Sequence, residues 1–178
     1  MKVKVVGGSL MQQARIRYYC EQLVPTAFRK RKLLGFLERK GFSLLATSGS
    51  CKGLFSREGI KVYRSHELGW RNYRDKDGKR GFFRADQVAI HELMHGVWSL
   101  AFDSGMRQSV YALHAVANSR YFNYPDAVRH PSEWFCDQFP RAFLFKKTCD
   151  PALVRFLRDW YFSRCLPNIR LERDEVGR

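Results

Sequence analysis

The stretch DQVAIHELMHGVWSLAF, residues 86–102, decides how this chain is read. Val88, Ala89, Leu93, Met94, Val97, Trp98 and Leu100 make a helix of these residues apolar over most of its surface. Asp86 has the character of an N-cap, so the pattern predicts a long buried helix from about Gln87 to Phe102. Set into that apolar surface are His91, Glu92 and His95. The two histidines are four apart, hence on one helical face and one turn from each other. Side by side in a buried helix, such groups are costly unless they share a partner. A zinc ion is that partner: it takes imidazole nitrogens at about 2.0–2.1 Å and leaves Glu92 beside the metal rather than on it. The expected chemistry is a zinc-activated water, acidified to a pKa of about 7, with Glu92 as general base. The hydroxide attacks a carbonyl, and Glu92 passes the proton on to the leaving amine.

A catalytic zinc takes three protein ligands and keeps one position open. The extended arrangement with a third histidine six residues downstream is excluded, because Ala101 occupies that position and Trp98 stands where its glycine would be. The remaining candidates are His114, His130 and Glu133. Glu133 suits best, in the first turn of an amphipathic helix that Ser132 would cap and that would break or kink at Pro140. Asp137, four residues on, shares its face and is placed to accept the second N–H of a metal-bound histidine.

Outward from this core, Lys2–Val6 alternates like a short strand, and Ser9 caps a helix from about Leu10 to Leu23. Pro25 breaks it; Thr26 would cap a second helix that runs to about Lys40 and stops at Gly41. Phe42–Thr47 and Gly59–Arg64 read as strands, and Asp77-Gly78 as the turn of a hairpin between 70–75 and 80–84. A helix over about Met106–Asn118, a loop over 119–131 and a last helix from Asp150-Pro151 to about Cys165 complete the chain. The order predicts one α+β domain over residues 1–178: a small N-terminal sheet with helices, then a helical half.

Composition narrows the class. With 45% apolar and 15% aromatic residues the chain is globular, and no stretch approaches the roughly 20 apolar residues of a membrane span. Met1–Val6 is too short and charged for a signal peptide, so a cytoplasmic location is expected. The five cysteines are odd in number and form no C-x-x-C pair, which predicts reduced thiols rather than a disulfide frame. The net charge of +15 favours an anionic partner, nucleic acid or an acidic protein, although scattered basic residues also serve solubility.

His91-Glu92-x-x-His95 with Glu133-x-x-x-Asp137 resembles the glutamate-ligand branch of the zincin metallopeptidases, the gluzincins. EWFCDQF, residues 133–139, is similar to the corresponding segment of anthrax lethal-factor-like catalytic domains and, less closely, of ImmA/IrrE-type peptidases. The resemblance implies a zincin-like fold and an endopeptidase acting on a specific protein or peptide substrate. It puts His91, His95 and Glu133 on zinc with Glu92 as base. Lethal-factor-like domains also carry a tyrosine seven residues before the ligand glutamate; here Asp126 is there, with Tyr124 as the nearest substitute for stabilising the oxyanion and Tyr121 in reserve. Met94 replaces the usual glycine before the second histidine. Two other readings stay open: a nucleic-acid-associated, SprT-like metalloprotease, and a non-catalytic binding module on the same fold.

Overall fold

Ser9 starts the first helix as its sequence predicts: its hydroxyl accepts from Gln12 N–H, and the Gln12 side chain returns a bond to Ser9 N–H. In this computed structural model, which describes residues 1–24, 30–68, 73–74, 80–81, 84–144 and 149–161, that helix is α1, Leu10–Leu23. The expected strand before it shortens to β1, Val5–Val6. The second helix, α2, spans Arg31–Arg39 with Lys30 at its N-cap; the proposed cap Thr26 lies outside the described residues. Gly41 ends it in the left-handed region at φ +57°, and a Cβ there would stand 2.0 Å from the Lys4 carbonyl oxygen. Only glycine meets both demands.

Strands β2 (Phe42–Leu45), β3 (Gly53–Ser56) and β4 (Gly59–Tyr63) join β1 in a mixed sheet of order β1-β2-β4-β3. β2 runs parallel to β1 and β4, with Val5 opposite Phe42 and Phe42 opposite Ile60. β3 turns back antiparallel on β4 and forms the sheet edge. The sequence reading missed β3, because Gly53-Leu54-Phe55-Ser56 is short and opens on a glycine. The expected hairpin is seen in β5 (Tyr73–Arg74) and β6 (Arg80–Gly81), antiparallel; its turn lies outside the described residues.

The helical half follows: α3 (Arg84–Leu100), α4 (Ser104–Val116), α5 (Pro125–Arg129), α6 (Pro131–Leu144) and α7 (Pro151–Phe156), the last continued by a π-helical turn over Leu157–Tyr161. Four expectations are corrected. Asp86 lies inside α3 rather than capping it, and its carboxylate is engaged elsewhere. Residues 119–131 are not all loop: Pro125, with its preset φ, starts the short helix α5. Ser132 is a helical residue, since α6 begins at Pro131 and Trp134 N–H already bonds the His130 carbonyl. α6 continues through Pro140 without a break. The final helix runs on as a π-turn to Tyr161, and its expected end near Cys165 lies outside the described residues. Asp150 does cap α7, accepting from Ala152 and Leu153 N–H.

α3 packs on β3 and β4 with one side and on α6 with the other, so it forms the middle of the core. Ile90, Met94 and Val97 are fully buried, as are Trp134, Phe135 and Phe139 of α6. Each such aliphatic or phenylalanine side chain contributes about 1.5–3 kcal/mol by leaving water. Phe102 and Trp98 meet Phe135 with ring centroids 5.3 and 5.9 Å apart. The domain is α+β with a small mixed sheet, and no described helix is long and apolar enough to cross a membrane. Cys20, Cys136 and Cys149 are buried free thiols and Cys51 is an exposed one.

One buried ion pair ties α1 to α3. Arg15 Nε donates to Asp86 Oδ1 and Oδ2 at 3.0 and 2.9 Å, and both side chains are nearly inaccessible to solvent. Removing one partner strands a buried charge, at a cost of about 3–5 kcal/mol. Asp86→Ala is therefore expected to lose about 3–5 kcal/mol of unfolding free energy in urea titration, and adding Arg15→Met to recover much of it.

Candidate metal centre

His91 and His95 leave α3 on the side that faces the first turn of α6. Their Nε2 atoms are 3.0 Å apart. Glu133, the third residue of α6, closes the triangle: Oε2 is 3.5 Å from His91 Nε2 and Oε1 is 3.3 Å from His95 Nε2. Among the described residues this is the one cluster of three histidine, cysteine or acidic side chains whose donor atoms converge, all within 4.8 Å of each other. A tetrahedral ion with bonds of about 2.0–2.1 Å holds its donors about 3.4 Å apart. The separation of the two imidazole nitrogens, and the distance from each to its nearer Glu133 oxygen, lie near that value. With one oxygen serving as donor the three atoms stay within 4.8 Å, so the residues fit a small divalent ion.

The charges agree with the geometry. The two imidazoles hold the Glu133 carboxyl far below the ordinary carboxylate range, by hydrogen bonding first and by charge second. Burial works against a charged His95 ring, yet Cys136 and Glu133 beside it raise its affinity for a proton overall. An ionised carboxylate between two imidazoles is a donor set that suits a divalent ion. Burial also keeps the Cys136 thiol protonated, so Cys136 serves His95 as a hydrogen-bonding neighbour.

Glu92 is 8% exposed and stands outside the converging donors. Burial raises its pKa above the ordinary carboxylate range, and the backbone of Phe55 on β3 opposes that rise only slightly. β3 comes so close that a Cβ on Gly53 would stand 2.6 Å from Glu92 Cγ and 2.7 Å from Glu92 Oε1. Gly53 thus lets the sheet edge press against the carboxylate.

Tyr124, the expected oxyanion donor, lines the cleft with Glu133 as its partner. Its hydroxyl donates to Glu133 Oε2 at 3.0 Å and is 3.3 Å from the Glu133 carbonyl oxygen. Burial, then the Glu133 charge, raises its pKa steeply, so it keeps its proton. Tyr121 is turned away, its hydroxyl bonded to Arg120. His114 binds the Ala127 carbonyl and lies edge-on to Trp134, and His130 is exposed at the end of α5. Neither joins the triad. Asp137 is corrected: its partners are Asn123, Gln138 and Arg141, not an imidazole. Besides Glu133, the α6 side chain beside His95 is Cys136, one position before Asp137. Asp137 faces the cleft instead, because i, i+4 spacing aligns it with Glu133.

A cleft of about 880 Å³ opens over the triad, between α3 and α6 on one side and β3 with the loop before it on the other. His91, Glu92, Glu133 and Tyr124 line it together with Lys52, Gly53 and Arg64. The sequence reading missed the last three; the glycine beside a lysine in a Gly/Ser-rich loop was the available signal. Comparison with protein-family models, curated proteins and solved structures finds no match for this chain.

Replacing a ligand costs more than the roughly 10–100-fold that a supporting residue costs. Glu133→Ala is expected to weaken zinc binding by more than about 100-fold in competition with a chromogenic chelator. Equal affinity in the variant would remove Glu133 from the ligand set.

Proposed function

We propose that the chain is a zinc-dependent endopeptidase with a zincin-like fold, cleaving a specific protein substrate. The carrying observation is the convergence of His91 Nε2, His95 Nε2 and a Glu133 carboxylate oxygen at the base of a cleft that Glu92 also lines. Two imidazoles and one carboxylate form a donor set that suits zinc and leaves a coordination position open. When bound, zinc supplies a Lewis acid and an acidified water.

The chain's own residues do the rest. Glu92 accepts the proton of the attacking water and hands it to the leaving amine. Its raised pKa, a consequence of burial, brings it closer to that task than an ordinary carboxylate. Tyr124, which keeps its proton, is the hydrogen-bond donor available to the substrate carbonyl oxygen.

The sheet edge supports a peptide as substrate. Tyr63 N–H bonds the Lys52 carbonyl, so Lys52 and Tyr63 are a hydrogen-bonded pair. By antiparallel alternation, the backbone polar groups of Gly53 and Phe55 turn outward. Gly53 on this edge lines the cleft beside Glu92. An extended peptide laid along this edge would add a strand and bring its carbonyl to the triad.

Glu92→Gln is expected to bind zinc as the parent does and to lose about 10²–10⁴-fold in kcat on any peptide substrate. Undiminished turnover would discredit the mechanism. Gly53→Ala pushes against Glu92 without touching a ligand; zinc affinity should stay within about threefold while kcat falls at least tenfold. A loss of zinc in step with activity would mean that Gly53 supports the fold rather than the base.

A further inference from the structure

The cleft is electrostatically two-sided. Its carboxylates, Glu92, Glu133 and Asp137, stand on α3 and α6; Glu133 is engaged by the imidazoles and Tyr124, and Asp137 by Arg141 and Asn123. The opposite wall carries Lys52, just before β3, and Arg64, just after β4.

Arg64 is held in an unusual conformation. At φ 58° and ψ 49° it is the one described residue other than glycine in the left-handed region. A long side chain rarely adopts it, and such residues gather at ligand sites. Its N–H bonds the Thr47 carbonyl at 3.2 Å, and its Nε donates to Ser48 Oγ at 3.0 Å. The loop is fixed from below as well: a Cβ on Gly49 would stand 2.6 Å from the Tyr63 ring. Arg64 is exposed to solvent, with its Nε tethered to Ser48 at the cleft wall.

We propose that Arg64 and Lys52, with the hydroxyl-bearing loop at Ser48, form a subsite for an anionic side chain of the peptide, an aspartate or glutamate near the scissile bond. This rests on the peptidase reading and specifies its substrate class. The net charge of +15 acts in the same direction, steering acidic chains toward the protein. A guanidinium suits a carboxylate or a phosphate, which it engages through paired donors.

The test has two arms. The zinc-loaded parent is incubated with a library of peptides derived from a proteome, and the sequences around new termini are read. The zinc-loaded Glu92→Gln variant is used to capture the same library without turnover. Both are repeated with Arg64→Asn, whose side chain tolerates the left-handed region, and with Lys52→Glu. Zinc content and circular dichroism establish that the variants are folded. The subsite predicts enrichment of Asp or Glu at one fixed position in both arms, falling about fivefold or more in Arg64→Asn and Lys52→Glu. Stronger capture of phosphoserine peptides than of glutamate peptides, abolished in Arg64→Asn, assigns the same subsite to a phosphate. Cleavage without an acidic preference, or a preference that both variants retain, overturns the subsite and leaves the peptidase. Arg64-dependent capture of acidic peptides with no cleavage overturns the peptidase and leaves the subsite. Neither capture nor cleavage overturns both.

Discussion

The site depends on one meeting: the carboxylate of Glu133 against the two imidazoles of α3. None of the three side chains is placed by its own local structure. His91 and His95 share a face because α3 is helical, but only the packing of α6 on α3 brings Glu133 to them. That packing is aromatic and dry. Phe135 lies between Trp98 and Phe102, and Phe139 sits edge-on to Tyr161 at 5.0 Å, whose hydroxyl bonds the Leu23 carbonyl and approaches Met94 Sδ at 3.9 Å. Residues from both ends of the described chain thus brace the helix pair behind the triad. Glu133 also gains from its position in the first turn of α6, where the helix dipole favours a negative charge.

The second constraint is the edge strand. β3 supplies a glycine that permits close approach to Glu92, and Phe55, whose ring packs beside His95 at 6.5 Å. The strand therefore fixes the side chain proposed as base and, with the same backbone, borders the cleft. Sheet and helices meet at the residue where the chemistry is proposed to occur.

Much of this was legible in the sequence, and the failures share a cause. Elements with a strong local signal came out well: α1 with its capping box, the stop at Gly41, and the two histidines on one helical face. Glu133 was legible because a carboxylate opening an amphipathic helix is a distinctive pattern. What the sequence hid is tertiary. β3 exists because β4 and α3 flank it, and its own residues carry no alternation. Asp86 looked like a cap and is the buried partner of Arg15, whose residue lies far away in the chain. Asp137 shares the face of Glu133 as spacing requires, yet the helix rotation turns Cys136 to His95 and Asp137 to Arg141. Arg64 gave no signal at all, since backbone handedness at a single residue is set by the loop it closes.

The central claim is the composition of the metal's ligand set, and the cysteines give it a real competitor: Cys136 adjoins His95 and Cys51 lines the cleft. X-ray absorption at the zinc edge of the loaded protein tests it most directly. The account predicts one zinc per chain surrounded only by nitrogen and oxygen at about 2.0–2.2 Å, with the outer scattering of two imidazoles. A sulfur shell at about 2.3 Å, or a single imidazole, would contradict it.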